Sequence, residues 1–282
     1  MTAGAFATWM AARDRESKAD TRRAVVIDPV LDYDPKSART STRSVEAVLA
    51  AAKAQQLILE WVLETHAHAD HLSAAQFLKT STGAKIAIGE HIKDVQKVFG
   101  PIFDAQDIRA DGAPFDRLLV DGETFKVGGM NIEVMYTPGH TPACVSYKIG
   151  GNVFVGDTLF MPDYGTARAD FPGGDPRALY RSIMRILSLP SDTSLWMCHD
   201  YKAPGREAFA WHSTVGEQRS KNVQIHDGVG EDQFVAARMA RDRTLEMPLL
   251  ILPSVQVNIR AGQMPPPDAD GHIFLKLPVN LL

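Results

Sequence analysis

Cysteine is scarce in this chain: Cys144 and Cys198 are the only two among its 282 residues. Two cysteines cannot build a disulfide framework, and neither belongs to a C-x-x-C pair. Hydrophobic residues make up 45% of the sequence, which is enough for a full core without covalent cross-links. We therefore expect buried, structural thiols and a reducing compartment, namely the cytoplasm.

The sequence also lacks a dominant charge and a long apolar run. Thirty Lys and Arg residues stand against 34 Asp and Glu residues, a net charge of −4, with no basic block of the kind that follows a phosphate backbone. No run reaches ~18 apolar residues, and acidic residues interrupt the apolar patch near the N-terminus, which no basic region precedes. Neither G-x-x-x-x-G-K-[ST] nor G-x-G-x-x-G occurs. These absences argue against a nucleic-acid partner, a membrane span, a secretory signal and nucleotide chemistry.

Histidine, by contrast, is concentrated in one place. Three of the nine histidines and a carboxylate fall within six residues, at His66, His68, Asp70 and His71. The cluster follows the apolar run 57–63, which predicts a buried strand, and precedes the segment 72–78, which predicts a helix. Loops at the carboxyl ends of strands are where open α/β folds place their chemistry. Imidazole and carboxylate are ligands of first-row metals, so the cluster predicts a metal site rather than a solvated loop with incidental histidines.

Other potential ligands repeat this placement directly after apolar strands. His140 follows the strand-like segment 132–136, Asp157 follows 152–155, and His199 follows 194–198. Taken singly, His140 would be an ordinary loop histidine and Asp157 a turn or cap residue. Their common position predicts that they converge with His66 and His68 along one rim.

The remaining pattern indicates an α/β chain with a separate tail. A strand ends at Asp28, whose expected role is structural, with support of the metal as the alternative. An alanine-rich helix is predicted over 44–55, and Gly-containing pairs within 115–160 predict an antiparallel meander. Residues 1–227 are predicted to form the catalytic domain. Residues 228–282, with a helix over 231–246, are predicted to form an arm that packs on that domain or on a second subunit, as in a homodimer.

The motifs H-x-H-x-D-H, T-P-G-H-T, V-G-D-T-L-F and C-H-D-Y together resemble those of the metallo-β-lactamase superfamily over nearly the whole chain. The resemblance implies an α/β fold of the αββα sandwich type, with two mixed β-sheets packed face to face and helices outside. Within the superfamily, the chain resembles two branches: glyoxalase II-type thioester hydrolases and glutathione persulfide dioxygenases. Three segments look like the dioxygenase branch, namely C-H-D-Y at 198–201, A-R-A-D-F at 167–171 and N-I-R-A-G at 258–262.

The resemblance to the dioxygenases implies that His66, His140 and Asp157 bind one Fe(II). Two histidines and one carboxylate form the facial triad that leaves open positions on ferrous iron. The implied reaction uses O2 to oxidise the outer sulfur of glutathione persulfide, giving sulfite and glutathione. Another low-molecular-weight persulfide stays open as the substrate, because the segment 161–166 is longer than in familiar dioxygenases.

The residues alone leave the metal count open. His68, Asp70, His71 and His199 would bind a second metal in the hydrolase branch, whereas in the dioxygenase branch they would hydrogen-bond around a single iron. The alternative function is therefore a glyoxalase II-like hydrolase with two zinc ions. A sensing module that keeps the fold without catalysis is a third hypothesis.

Three residues are predicted to contact the substrate. Arg168 matches the arginine of the family's G-R-T-D-F-like segment, although Ala167 replaces the glycine, and a guanidinium could pair with a glutathione carboxylate. Tyr201 matches the H-D-Y tyrosine, and Arg260 lies in the N-I-R-A-G segment. Each has a structural alternative: an ion pair for Arg168, packing for Tyr201, and support of the fold for Arg260.

Overall fold

The computed structural model describes residues 4–5, 8–10 and 22–281. The prediction that no secretory signal is present falls largely on residues outside these ranges. The strands are β1 (Gly4–Ala5), β2 (Thr8–Met10), β3 (Arg23–Ile27), β4 (Val30–Asp34), β5 (Arg39–Ser41), β6 (Ile58–Glu64), β7 (Leu72–Ser73), β8 (Lys85–Gly89), β9 (Arg117–Leu119), β10 (Thr124–Val127), β11 (Met130–Tyr136), β12 (Val145–Ile149), β13 (Asn152–Phe154), β14 (Ser194–Trp196), β15 (His199–Asp200) and β16 (His212–Thr214). The helices are α1 (Arg43–Ala54), α2 (Ala75–Thr82), α3 (Ile92–Ile102), α4 (Pro176–Leu187), α5 (Val215–Lys221), α6 (Glu231–Asp242) and α7 (Ile251–Asn258). None of the helices in these ranges has the length and apolar character needed to cross a bilayer.

The chain separates into two compact units, named here after the histidines they carry. The His66 unit contains Ala7–Leu119, Lys126–Met130 and Met247–Leu282. The His140 unit contains Met1–Phe6, Val120–Phe125 and Asn131–Glu246. The residues after 227 are thus shared between both units, and the division into 1–227 and 228–282 stays a prediction.

The His66 unit is built on a five-stranded mixed sheet in the order β2-β3-β6-β8-β9. Strands β3, β6, β8 and β9 run parallel, and β2 pairs antiparallel with β3 at the edge. Strand β8 reads Lys-Ile-Ala-Ile-Gly and is buried from its second residue onward. This continuous apolar pattern is typical of parallel strands covered on both faces. A smaller sheet, β5-β4-β7, and helices α1, α2, α3 and α7 complete the unit.

Most of the six-stranded mixed sheet, in the order β10-β11-β12-β13-β14-β16, belongs to the His140 unit. The pairs β11–β12 and β12–β13 are antiparallel, as the predicted meander requires. Strands β13 and β14 are parallel, and α4 provides the crossover between them. The core of this unit includes side chains from α4, α5 and α6, among them Leu179, Ile183, Val215 and Phe234.

Two local predictions were wrong. The segment 72–78 is not one helix, because Leu72 and Ser73 pair with Leu31 and Val30 of β4 before α2 begins. Asp121-Gly122, one of the Gly-containing pairs that predict hairpins within 115–160, does not close a hairpin, since β9 and β10 belong to different sheets. In both places a tertiary pairing overrides the local pattern.

Candidate metal centre

The predicted histidine cluster forms a buried loop in the His66 unit. Strand β6 ends at Glu64, and the rings of His66, His68 and His71 follow in close contact, with centroids 4.0 Å and 4.1 Å apart for successive pairs. All three side chains are buried. Burying three imidazoles is costly unless their nitrogens have partners or ligands, so this loop is organised around polar contacts.

Asp28 and Thr65 fix the orientation of the first histidine. Asp28 accepts hydrogen bonds from the backbone N–H of Thr65 at 2.7 Å and from its hydroxyl at 2.8 Å. The hydroxyl oxygen also lies 3.0 Å from Nδ1 of His66. Since its one hydrogen is donated to Asp28, the oxygen accepts a hydrogen bond from that nitrogen. His66 is thereby held as the Nδ1–H tautomer, in which Nε2 is the nitrogen that could bind a metal.

A second set of contacts holds His68. Its Nε2 lies 2.9 Å from Oδ1 of Asp28 and 3.6 Å from Oε2 of Glu64. Burial opposes the charged imidazolium, but the charge of Asp28 and the hydrogen bonds to both carboxylates outweigh it, so the pKa of His68 is well above its ordinary value. Burial raises the pKa of Glu64, which also accepts a hydrogen bond from Ser73. Both nitrogens of an imidazolium carry protons, so His68 could ligate a metal through Nδ1 only after losing one of them.

The sequence analysis missed two residues that contact this loop. Glu64 follows the predicted strand 57–63 directly and was not among the predicted site residues, although an acid at the end of a buried strand is a signal that could have been used. Asn258 lies 190 positions along the sequence from His68, whose backbone carbonyl it contacts. Nothing in the local pattern around it indicates such a contact.

In the His140 unit, Asp157 lies between two histidines. Nε2 of His140 is 3.7 Å from Oδ2 of Asp157, and Nε2 of His199 is 3.3 Å from Oδ1. All three side chains are buried. They come from the segments after β11, β13 and β14, as the strand-end pattern predicts.

The ring of His140 is fixed in the same way as that of His66. Its Nδ1 lies 2.8 Å from the backbone carbonyl of Arg168, which can only accept, so the proton is on Nδ1 and Nε2 faces Asp157. The turn before it packs against α4: Ser182 donates to the carbonyl of Pro138 at 2.6 Å. Gly139 has φ +137°, and a Cβ there would lie 2.2 Å from the backbone nitrogen of Leu179. Only glycine fits this close approach.

The side chain of Arg168 is engaged inside the His140 unit. It forms a bidentate ion pair with Asp170, at 2.6 Å and 2.8 Å, and Nη1 donates to the carbonyl of Glu246 at 2.7 Å. Its guanidinium also lies over the ring of Phe171, 4.9 Å from the centroid. These contacts favour the structural alternative for this side chain.

Tyr201 lies beside His199, with ring centroids 6.1 Å apart, and 38% of it is exposed. It stacks on Tyr164 of the 161–166 segment at 4.8 Å and contacts the edge of Phe160 at 5.3 Å. The segment is anchored through Asp163, which pairs with Arg206 at 2.6 Å. The exposed ring of Tyr201 thus lies next to the buried His199.

Arg260 occupies a buried position in the His66 unit. Its guanidinium forms a bidentate ion pair with Asp107, at 2.8 Å and 2.7 Å, and donates to the carbonyl of Gln256 at 2.6 Å. The pairing favours a structural role for Arg260.

The predicted ligands therefore form two sets, one in each unit. His66, His68, Asp70 and His71 lie together in the His66 unit, and His140, Asp157 and His199 lie together in the His140 unit. Both sets consist of imidazoles and carboxylates, without a thiolate. This donor chemistry fits Fe(II) or Zn²⁺.

Comparison with known proteins identifies relatives over nearly the full length. Residues 19–199 match the metallo-β-lactamase superfamily. A probable metallo-hydrolase of Burkholderia pseudomallei (strain 1710b) is 55% identical over 268 residues, covering 91% of this chain and 91% of that protein. Glyoxylase B2 of Dictyostelium discoideum is 47% identical over 265 residues, covering 93% and 90%.

Persulfide dioxygenases are more distant relatives. The mitochondrial persulfide dioxygenase ETHE1 of Homo sapiens is 30% identical over 256 residues, covering 90% of this chain and 83% of that protein. The crystal structure of ETHE1 from Myxococcus xanthus matches with a TM-score of 0.68 and 28% identity, covering 90% of this chain and 93% of that chain. The predicted α/β fold class is confirmed by these matches.

Proposed function

We propose that this chain, which belongs to the metallo-β-lactamase superfamily, oxidises glutathione persulfide with O2, using one Fe(II), and that one water molecule then cleaves the S–S bond to give sulfite and glutathione. The proposed iron ligands are His66, His140 and Asp157. The family match shows that the chain is an enzyme of the metallo-hydrolase superfamily.

The observation that carries the proposal is the matching tautomer of the two histidines. In both His66 and His140, Nδ1 donates to an oxygen of the protein, so that Nε2 is presented as a ligand. His68 differs, because its Nε2 is held by Asp28. This difference supports a division in which His66 and His140 ligate the metal and His68 organises the loop, as expected for a single iron.

Ferrous iron at this site would supply open coordination positions and the redox chemistry by which both atoms of O2 are added to the outer sulfur. The chain's own residues position this chemistry. Thr65 and the carbonyl of Arg168 fix the two imidazoles, and the carboxylate of Asp157 supplies the negative charge that favours a divalent cation.

The proposed substrate surface is the aromatic cluster of Phe160, Tyr164 and Tyr201. Of these rings Phe160 is buried, Tyr164 is half-buried and Tyr201 is exposed beside His199. The Tyr201 ring can pack against the apolar part of glutathione, and its hydroxyl can donate to the peptide or to sulfur. Arg168 and Arg260 remain weaker candidates, because their guanidinium groups already pair with Asp170 and Asp107.

The direct test is oxygen consumption by the purified iron-containing protein on addition of glutathione persulfide, with sulfite measured as the product. We expect uptake by the unmodified chain and a loss of about 10²-fold or more in His140→Ala, since that variant removes a proposed iron ligand. His226→Ala, at an exposed histidine of the same unit, is the matched control and should keep full activity. A fully iron-loaded protein that consumes no oxygen would exclude the proposal.

A second candidate is a thioester hydrolase with two zinc ions. Glyoxylase B2 and the probable metallo-hydrolase are more similar in sequence than the persulfide dioxygenase. The complete set of seven imidazole and carboxylate side chains is also sufficient for two ions. Hydrolysis of lactoylglutathione by protein containing two zinc ions, without oxygen uptake, would decide for this function.

A further inference from the structure

Asn258, the last residue of α7, contacts the histidine loop and the adjoining strand β7 through the two polar atoms of its side chain. Its Nδ2 donates to the backbone carbonyls of His68 and His71, both at 2.8 Å. Its Oδ1 accepts from the backbone N–H of Ser73 at 2.8 Å. The side chain is buried, so one amide replaces water for three backbone groups of the loop.

These three contacts define the course of the loop between His68 and β7. The two carbonyls converge on one amide nitrogen, which fixes the separation of the backbone at His68 and His71. The third contact holds Ser73, the last residue of β7. Because His66 is carried by the same short loop, these contacts restrain the backbone that positions its imidazole, without touching a ring.

Helix α7 is itself held firmly against this part of the unit. Gln96 donates to the carbonyl of Ile259 at 2.9 Å, and Arg260 pairs with Asp107. Gly262, with φ +82°, approaches so closely that a Cβ would lie 2.9 Å from the carbonyl oxygen of Ser73. These contacts hold the end of α7, which carries Asn258, in place.

We propose that Asn258 is a positioning residue for the metal, which sets the ligand geometry of the His66–His71 loop through its hydrogen bonds to His68, His71 and Ser73. The proposal rests on the metal-binding role proposed for this loop and is independent of which reaction follows.

Gln256 provides a closely matched control on the same helix. Its amide is also buried, and its Nε2 donates to two carbonyls, those of Leu252 at 2.8 Å and Lys276 at 2.9 Å. Its Oε1 accepts from the N–H of Lys276 at 2.9 Å. None of these contacts involves the histidine loop, so Gln256 shares the hydrogen-bond pattern of Asn258 but not its partner.

The experiment compares Asn258→Asp with Gln256→Glu in the full chain. Each change replaces an NH2 that donates to two carbonyls by an oxygen and keeps the acceptor. Metal-free protein is titrated with Fe²⁺ under anaerobic conditions, and separately with Zn²⁺, in competition with a chromophoric chelator. The thermal stability of the metal-free proteins is recorded alongside. Asn258→Ala and Gln256→Ala repeat the comparison by deletion if either carboxylate variant does not fold.

We expect Asn258→Asp to weaken metal binding by about 10- to 100-fold, as for other residues that orient metal ligands. Gln256→Glu should stay within about twofold of the unmodified chain, because its site is separate from the loop. Unchanged metal affinity in the Asn258 variants would overturn the proposal, as would an equal loss in the Gln256 variants. The metal affinities are measured without substrate, so they do not depend on whether the chain oxidises a persulfide. Failure of the proposed function can therefore be distinguished from failure of the role proposed for Asn258.

Discussion

At the scale of single residues, the contacts of Asp28 explain how the histidine loop tolerates its burial. One carboxylate accepts from the Thr65 backbone and hydroxyl and pairs with His68. It therefore fixes His66 indirectly and His68 directly. Asp28 has φ +49°, a conformation that aspartate adopts more readily than most residues. These contacts give Asp28 the structural role expected from the sequence, and its support of a metal stays a prediction.

Asp28→Asn is expected to lower the free energy of unfolding of the metal-free protein by about 3–5 kcal/mol, because it removes one partner of a buried ion pair. The measurement is chemical denaturation at pH 7. Asp32→Asn is the control: this carboxylate also accepts from a backbone N–H and a hydroxyl, both of Ser44, but is only partly buried. The free energy of unfolding of Asp32→Asn should fall by only about 1 kcal/mol. Equal losses in the two variants would contradict the role given to Asp28.

Sequence reasoning at this scale succeeded for side chains with distinctive chemistry. Imidazoles and acids after apolar strands could be assigned to loops, and their clustering predicted a metal site. Glu64 could have been found in this way, since it is an acid at the end of a buried strand. Asn258 could not, because its role depends on neighbours supplied by the fold. Arg168 illustrates the same limit, since its motif does not indicate that Asp170 pairs with it.

At the scale of elements, the segment around α7 is attached to the rest of the His66 unit by ion pairs. Arg260 pairs with Asp107, and Lys276 pairs with Asp104 at 2.6 Å. The Arg260 guanidinium, by hydrogen bonding, holds the pKa of Asp107 below its ordinary value of 3.8. The ionised carboxylate is therefore the form that stabilises the folded chain.

This shift predicts how stability depends on pH. A carboxyl group with a lowered pKa contributes stability above its ordinary value, and this contribution is lost as the pH falls through the lowered pKa. The unmodified chain should be more stable than Asp107→Asn at pH 6, and the difference should shrink below about pH 3.8. Urea denaturation across this range measures it. In an Arg260→Gln background the pH-dependent difference should disappear; its persistence would show that Arg260 is not the cause.

The elements were predicted well where a long periodic pattern agrees with the tertiary structure. Strand β6 and helix α1 each lie within about one residue of the predicted bounds. The segment 72–78 failed because β4 pairs with its first two residues, and no periodicity within the segment indicates that partner. The helix predicted over 231–246 begins at Glu231 and ends earlier, at Asp242.

At the scale of the whole molecule, the fold class could be predicted because the motifs span most of the chain. The family match over 19–199 confirms it. The reaction could not be settled in the same way, since Fe(II) and Zn²⁺ use the same imidazole and carboxylate donors. Relatives with names from both reaction classes reflect this chemical ambiguity.

The most direct test of the central claim is the metal content of protein purified without oxygen, measured for the chain and for two variants. We predict one iron per chain in the unmodified protein, none in His140→Ala and one in His71→Ala. Of the two replaced residues, only His140 is a proposed iron ligand. Two zinc ions in the unmodified protein, falling to one in His71→Ala, would contradict the claim that a single ferrous ion is bound by His66, His140 and Asp157.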